Sequence, residues 1–145
     1  MPSPPDPSPD FTATGGCLCG AVRFGLTGRL PPVGMCHCSQ CRRVSGVGSN
    51  AVLAVREERF VWLAGEDERQ TFALPSGWST VFCRHCGSPV PQPTPDSARM
   101  WVPAGSLDGD PELTVGGHIF VGSKPGWCVI GDDAPQFDET PQAPK

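Results

Sequence analysis

Cys36-His37-Cys38-Ser39-Gln40-Cys41 puts three cysteines within six residues, close enough to converge on one metal ion. Two pairs flank this stretch. Cys17 and Cys19 lie upstream, and Cys83 and Cys86 lie downstream in a C-x-x-C knuckle followed by Gly87. Seven of the eight cysteines therefore fall into groups of two, three and two, and any fold for this chain must bring those groups together. Zinc takes four ligands in tetrahedral geometry and favours thiolate. One knuckle supplies only two of the four. In one grouping Cys17, Cys19, Cys83 and Cys86 close a structural zinc site. Cys36, Cys38 and Cys41 then hold a second zinc that keeps an open position, as catalytic zinc does. In the other, Cys38 and Cys41 join Cys83 and Cys86 in a ribbon-type site, leaving Cys17, Cys19 and Cys36. Spacing leaves both open.

Metal is the expected staple for such a chain. Its 145 residues suit one domain, yet only 38 % are hydrophobic, and glycine and proline number 18 each. A turn-rich domain with a lean core needs disulfides or metal to hold it. Met1 to Asp10 carries five prolines and lacks the basic and apolar regions of a signal peptide. No stretch approaches the roughly 18 apolar residues of a membrane span. The expected location is cytoplasmic and reducing, where clustered cysteines bind metal more often than they pair. Net charge is -4, and Arg42-Arg43 is the one basic step. A nucleic-acid partner would leave a larger basic footprint, and no membrane partner is expected.

The hydrophobic pattern predicts a mainly β domain over residues 11–138, with proline-rich or polar tails at 1–10 and 139–145. Strands are expected at Phe11 to Thr14, Ala21 to Thr27, Asn50 to Val55, Arg59 to Leu63, Gln70 to Leu74, Trp78 to Cys83, Arg99 to Pro103, Leu113 to Val121 and Trp127 to Ile130. Val22, Phe24 and Leu26 should share one face. Short connections imply antiparallel pairing. No long amphipathic helix is visible. Ser39 is placed to cap one or two helical turns that run to Val44 and end at Gly46. The positive end of that helix would favour thiolate at Cys41 or an anion nearby.

The remaining chemistry-bearing residues read more plainly. His37 would have to compete with both neighbouring cysteines for one coordination sphere, so its ring is expected to point away. His85, inside the knuckle, should face solvent. His118 falls in a strand pattern and fits either core or pocket wall. Cys128 stands alone after Trp127 and reads as a buried, inert thiol.

Three motifs together carry a resemblance that runs from about Gly15 to Glu139. They are Gly15-Gly16-Cys17-Leu18-Cys19-Gly20-Ala21-Val22, Cys36-His37-Cys38-Ser39-Gln40-Cys41-Arg42-Arg43 and Cys83-Arg84-His85-Cys86-Gly87-Ser88-Pro89. The chain resembles the glutathione-dependent formaldehyde-activating enzymes, also called the centromere protein V family. The resemblance implies an Mss4-like fold of antiparallel β-sheets with zinc knuckles. It implies two Zn²⁺ per chain: a structural ion on Cys17, Cys19, Cys83 and Cys86, and a catalytic ion on Cys36, Cys38 and Cys41. It further implies carbon–sulfur lyase chemistry, with a small thiol such as glutathione adding to a small aldehyde such as formaldehyde. Arg42 and Arg43 would hold a substrate carboxylate or offset the charge of three thiolates. They stand where the founding enzymes have a Trp-Lys step. The rival reading is a non-catalytic zinc module that binds a macromolecule.

Overall fold

Alternation of apolar and polar residues builds the first layer. The computed structural model describes residues 11–141. Strands β1 (Ala13–Gly16), β2 (Arg23–Leu26) and β5 (Phe60–Ala64) form an antiparallel sheet with β2 in the middle. Val22, Phe24 and Leu26 are fully buried, as their period of two requires. The first strand starts two residues later than its expected start, because the Phe11 ring lies over Gly25 instead of entering the ladder.

A second sheet contains β3 (Val33–Cys36), β4 (Asn50–Arg56), β8 (Gln92–Pro93), β9 (Arg99–Pro103) and β10 (Val115–Ile119), in the order β10-β3-β4-β9-β8. Leu53, Val55, Met100 and Val102 meet Phe24, Leu26 and Ala13 of the first sheet in the main core. A hairpin of β6 (Arg69–Ala73) and β7 (Ser79–Cys83) carries Val81 and Cys83 into a smaller core with Cys17, Val22 and Val90. No helix among the described residues is long and apolar enough to cross a membrane.

One pairing between the named strands is parallel. β10 runs alongside β3, with Ile119 opposite Cys36. The short-connection argument does not reach this pair, because most of the chain separates the two strands and parallel neighbours need such a long crossover. The expected strand at Trp127 to Ile130 is absent; Trp127 is 71 % and Val129 85 % exposed. The outer edge of β10 is taken by a later segment. His118 N–H donates to Pro135 O, Phe137 N–H to His118 O, and Phe120 N–H to Glu139 O. The body is therefore bonded as far as Glu139, the first residue of the expected C-terminal tail. Residues 1–10 and 142–145 of the two expected tails lie outside the described residues.

The one α-helix among the described residues, α1 (Ser39–Ser45), is capped by Cys38 rather than Ser39. Cys38 has the extended backbone of a cap, and its sulfur accepts the Cys41 N–H at 3.3 Å. The sulfur fills the role that a serine hydroxyl usually plays. Gly46 ends the helix in the left-handed conformation, as expected.

Asp108 ties the first sheet to the turn after β9. Its carboxylate accepts from Thr14 Oγ1 at 2.6 Å and from both terminal nitrogens of Arg23. The Arg23 guanidinium, then the Thr14 hydroxyl, hold the Asp108 carboxyl below the usual carboxylate range against the opposing effect of burial. Asp108→Asn should lower stability by roughly 1–3 kcal/mol. A folded pKa below the unfolded one means that the contribution is complete above about pH 4 and is lost as pH falls through the folded value. Urea melts of both proteins at pH 7 and pH 3 should show the difference shrinking at the lower pH.

Candidate metal centre

The sulfurs converge in the first of the two groupings. Cys17, Cys19, Cys83 and Cys86 lie within 4.8 Å of one another, as do Cys36, Cys38 and Cys41. The four-sulfur group joins the turn after β1 to the end of β7. Cys17 N–H donates to Val22 O and Gly87 N–H to Cys83 O, so each knuckle has its backbone fixed by its own turn. Gly87 needs its left-handed φ of 77° for that closure.

Sulfur spacing tests whether a metal fits. Zinc–sulfur bonds of about 2.3 Å in a tetrahedron set sulfurs about 3.8 Å apart. Cys17 and Cys19 are 3.6 Å apart, and Cys19 and Cys83 are 3.8 Å apart. Protonation points the same way. A backbone hydrogen bond from Ala21 favours thiolate at Cys19, but burial and the neighbouring thiols outweigh it and push its pKa up to about 12. Burial also opposes ionisation of Cys86, yet the Ser88 hydroxyl and N–H bring that thiol down to about 5. Sulfurs this close cannot all ionise without a cation among them. The donor set fits a thiophilic metal.

One carboxylate braces the downstream knuckle. Glu68 Oε2 accepts from Arg84 Nε and meets His85 Nε2, each at 2.6 Å. These partners, His85 first, hold the Glu68 carboxyl below its usual range. His85 is half-exposed to solvent, as expected.

The three-sulfur group sits where β3 runs into α1. Cys36 ends β3, Cys38 caps the helix, and Cys41 follows on its first turn. Cys36 is drawn down to about 6, chiefly by its hydrogen bond with Cys41, while that bond and burial push Cys41 up. No fourth Cys, His, Asp or Glu among the described residues joins this group.

A cavity of about 430 Å³ opens over the three sulfurs. Its walls come from α1, the β4–β9 face, the β7 strand and Phe120. Phe120 has a positive φ of 54°, where a bulky side chain costs about 1–2 kcal/mol. Its N–H to Glu139 and its carbonyl, which accepts from Ser123, hold it there. A larger hollow of about 830 Å³ is lined by Arg23, Asp108 and Cys17 and contains none of the three central sulfurs.

Arg42 and Arg43 do not line the sulfur cavity. They border a separate hollow of about 380 Å³ with Ser39, Gly46 and Trp127. Successive residues on a helix point about 100° apart, so Cys41 and the two arginines address different sides of α1. Cys128 is half-buried, not buried, and presses against Gly48, where no side chain would fit.

Sequence reasoning missed two buried histidines beside this site that link outward to an exposed carboxylate. His37 turns away from the sulfurs into the protein, 1 % exposed, and its Nε2 lies 2.9 Å from Nδ1 of His118. His118, 2 % exposed, is a core residue, and its Nε2 meets Asp132 at 3.0 Å. Sequence separations of 81 and 14 residues left no local signal for it. Burial, then the neighbouring His118, lowers the His37 pKa. His118→Ala would strand a buried nitrogen of His37 and release Asp132. It should cost about 1–3 kcal/mol, measured by thermal melting, with His37→Ala/His118→Ala costing less than the sum of the single changes.

Comparison with known proteins follows the same motifs. The family model for the glutathione-dependent formaldehyde-activating enzyme matches residues 12–123. The chain belongs to that family. A protein of Halomonas elongata, which carries the name glutathione-dependent formaldehyde-activating enzyme provisionally, is 29 % identical over 124 residues, 80 % of this chain and 79 % of that protein. A crystal structure of a Rhodobacter sphaeroides protein superposes with a TM-score of 0.55 at 22 % identity, covering 70 % of this chain and 98 % of that one. The family match spans both cysteine groups, α1 and the strands that position them.

Proposed function

We propose that this chain joins a small thiol to a small aldehyde, and cleaves the same carbon–sulfur bond in reverse, at Cys36, Cys38 and Cys41. The family name supports glutathione and formaldehyde as the type reaction, giving S-(hydroxymethyl)glutathione. The observation that carries the reading is an incomplete sulfur set with all three sulfurs on the wall of one cavity, beside a complete four-sulfur set of which only Cys17 borders a hollow. Cys17, Cys19, Cys83 and Cys86 are assigned to a structural zinc, and the three central cysteines to a second zinc. Zinc held there would lower the pKa of a substrate thiol, which is the chemistry it supplies.

The protein's own part is placement. The cavity walls exclude bulk water and bring the aldehyde carbon against the substrate sulfur. The sulfur–carbon bond forms, the carbonyl π pair moves to oxygen, and oxygen takes the proton that the thiol released. Atoms and charge balance without an outside reagent. A reducing, cytoplasmic setting suits the chain, whose eight cysteines are all free.

The test is adduct formation from glutathione and formaldehyde by the zinc-loaded protein, followed by exchange NMR. A rate above the spontaneous one is expected. No acceleration would remove formaldehyde with glutathione as the substrate pair, and metal analysis should return two zinc ions per chain.

A further inference from the structure

The walls of the sulfur cavity specify more than a family name does. Trp78, Trp101, Val44, Val52, Ile119 and Phe120 give it apolar and aromatic walls. Apart from the three cysteines, its polar groups are neutral amides and hydroxyls, and no Asp, Glu, Lys, Arg or His among the described residues lines it. One of those amides is already committed: Gln92 accepts from Val81 N–H and donates to Ser79 O. Gln40 is half-buried on the wall and carries no charge to offer. The cations nearest in sequence, Arg42 and Arg43, serve the other hollow.

Glutathione carries two carboxylates and one ammonium, a net charge near -1. Its sulfur at the three cysteines would bring those carboxylates against an apolar wall with no cationic side chain to meet them. Burying an unpaired carboxylate in such surroundings is strongly unfavourable. At about 430 Å³ the space falls within the range of small-molecule sites. It is also far larger than formaldehyde needs.

We propose that this cavity selects a thiol, or the aldehyde adduct of one, whose body is uncharged and apolar, aryl or branched alkyl, over a carboxylate-bearing thiol such as glutathione. The inference rests on the thiol–aldehyde reading of the same three cysteines and names its substrate class. Aromatic rings at Trp78, Trp101 and Phe120 would stack on the body of the thiol while its sulfur faces the cysteines.

A matched pair of probes tests it. Phenylmethanethiol and 4-(sulfanylmethyl)benzoate differ by one carboxylate and nothing else near the sulfur. Calorimetric titration of the zinc-loaded full chain should show phenylmethanethiol binding about tenfold or more tightly than its carboxylate twin and than glutathione. Gln40→Arg should narrow or reverse the gap by giving the wall a carboxylate partner. Retention of two metals per chain checks its fold, and the wild-type ratios decide the matter even without that variant. Equal or tighter binding of glutathione or the carboxylate twin, with adduct formation intact, overturns the apolar preference and leaves the thiol–aldehyde reading standing. Absence of binding and of adduct formation with every thiol overturns both.

Discussion

Cys83→Ala should yield a chain that does not hold its tertiary structure at 25 °C. Cys83 is completely buried at the end of β7 and is one of five buried residues in the smaller core. That core has only Val22, Val81 and Val90 as aliphatic members; Cys17 and Cys83 are the others. Its hydrophobic contribution is therefore small, and the sulfurs that close it crowd to 3.6–3.8 Å. Structural zinc in small domains contributes about 10–16 kcal/mol of apparent folding free energy. A whole domain is stable by about 5–15 kcal/mol. A loss of that size removes most or all of that margin, so collapse is expected rather than a lowered melting point. The residues around the knuckle are too exposed to compensate: the Glu68–Arg84 ion pair lies at the surface, and such pairs are worth about 0–1 kcal/mol. Near-ultraviolet circular dichroism with metal analysis reads the result. A Cys83→Ala protein with native dichroism and a cooperative melt would remove the structural assignment of this cluster. Chelation of the wild-type protein by a strong zinc chelator should reproduce the loss, and zinc should reverse it.

What could be read from the chain follows how local each cause is. Arg99–Pro103 appears as expected, because alternation of Met100 and Val102 against Trp101 is a property of five adjacent residues. The helix end at Gly46 is equally local, whereas its start was misplaced by one residue because sulfur is a rare cap. Membership of each knuckle is local too. That Cys19 meets Cys83 across 64 residues is not, and spacing left two groupings open until the motif resemblance favoured one. The parallel β10–β3 pair and the His37–His118–Asp132 chain depend on which distant strand reaches a free edge, and nothing in a single stretch encodes that. Arg42 and Arg43 illustrate a different limit. They adjoin Cys41 in sequence, yet helical rotation sends them to another hollow, so adjacency to a ligand gave the wrong neighbourhood. The aromatic cavity wall was missed for a related reason. Trp78, Trp101 and Phe120 come from three separate elements and share a surface only after folding.

Cys36→Ala should leave the fold and take the chemistry. Cys36 is half-buried at the end of β3, and its backbone is held from both sides whatever its side chain. Asn50 pairs with it on β4 and Ile119 on β10, and the next N–H, from His37, bonds Ile119 O at 2.9 Å. Loss of a half-buried thiol should change stability by about 1 kcal/mol or less. The metal account is sharper. Two sulfurs remain in a group with no fourth protein donor among the described residues, and two ligands hold zinc poorly against water. Metal content should fall from two per chain to one, with the remaining ion in the four-cysteine cluster. Thiol–aldehyde activity should fall by about a hundredfold or more, since loss of an outer-shell partner alone commonly costs ten- to a hundredfold. Cys83→Ala and Cys36→Ala thus separate the two clusters: the first loses fold and both metals, the second keeps a native melt and one metal. An unchanged metal count in folded Cys36→Ala would mean that a water or another side chain completes a site that does not depend on this sulfur. Full activity at a count of one would move the chemistry off the three cysteines altogether.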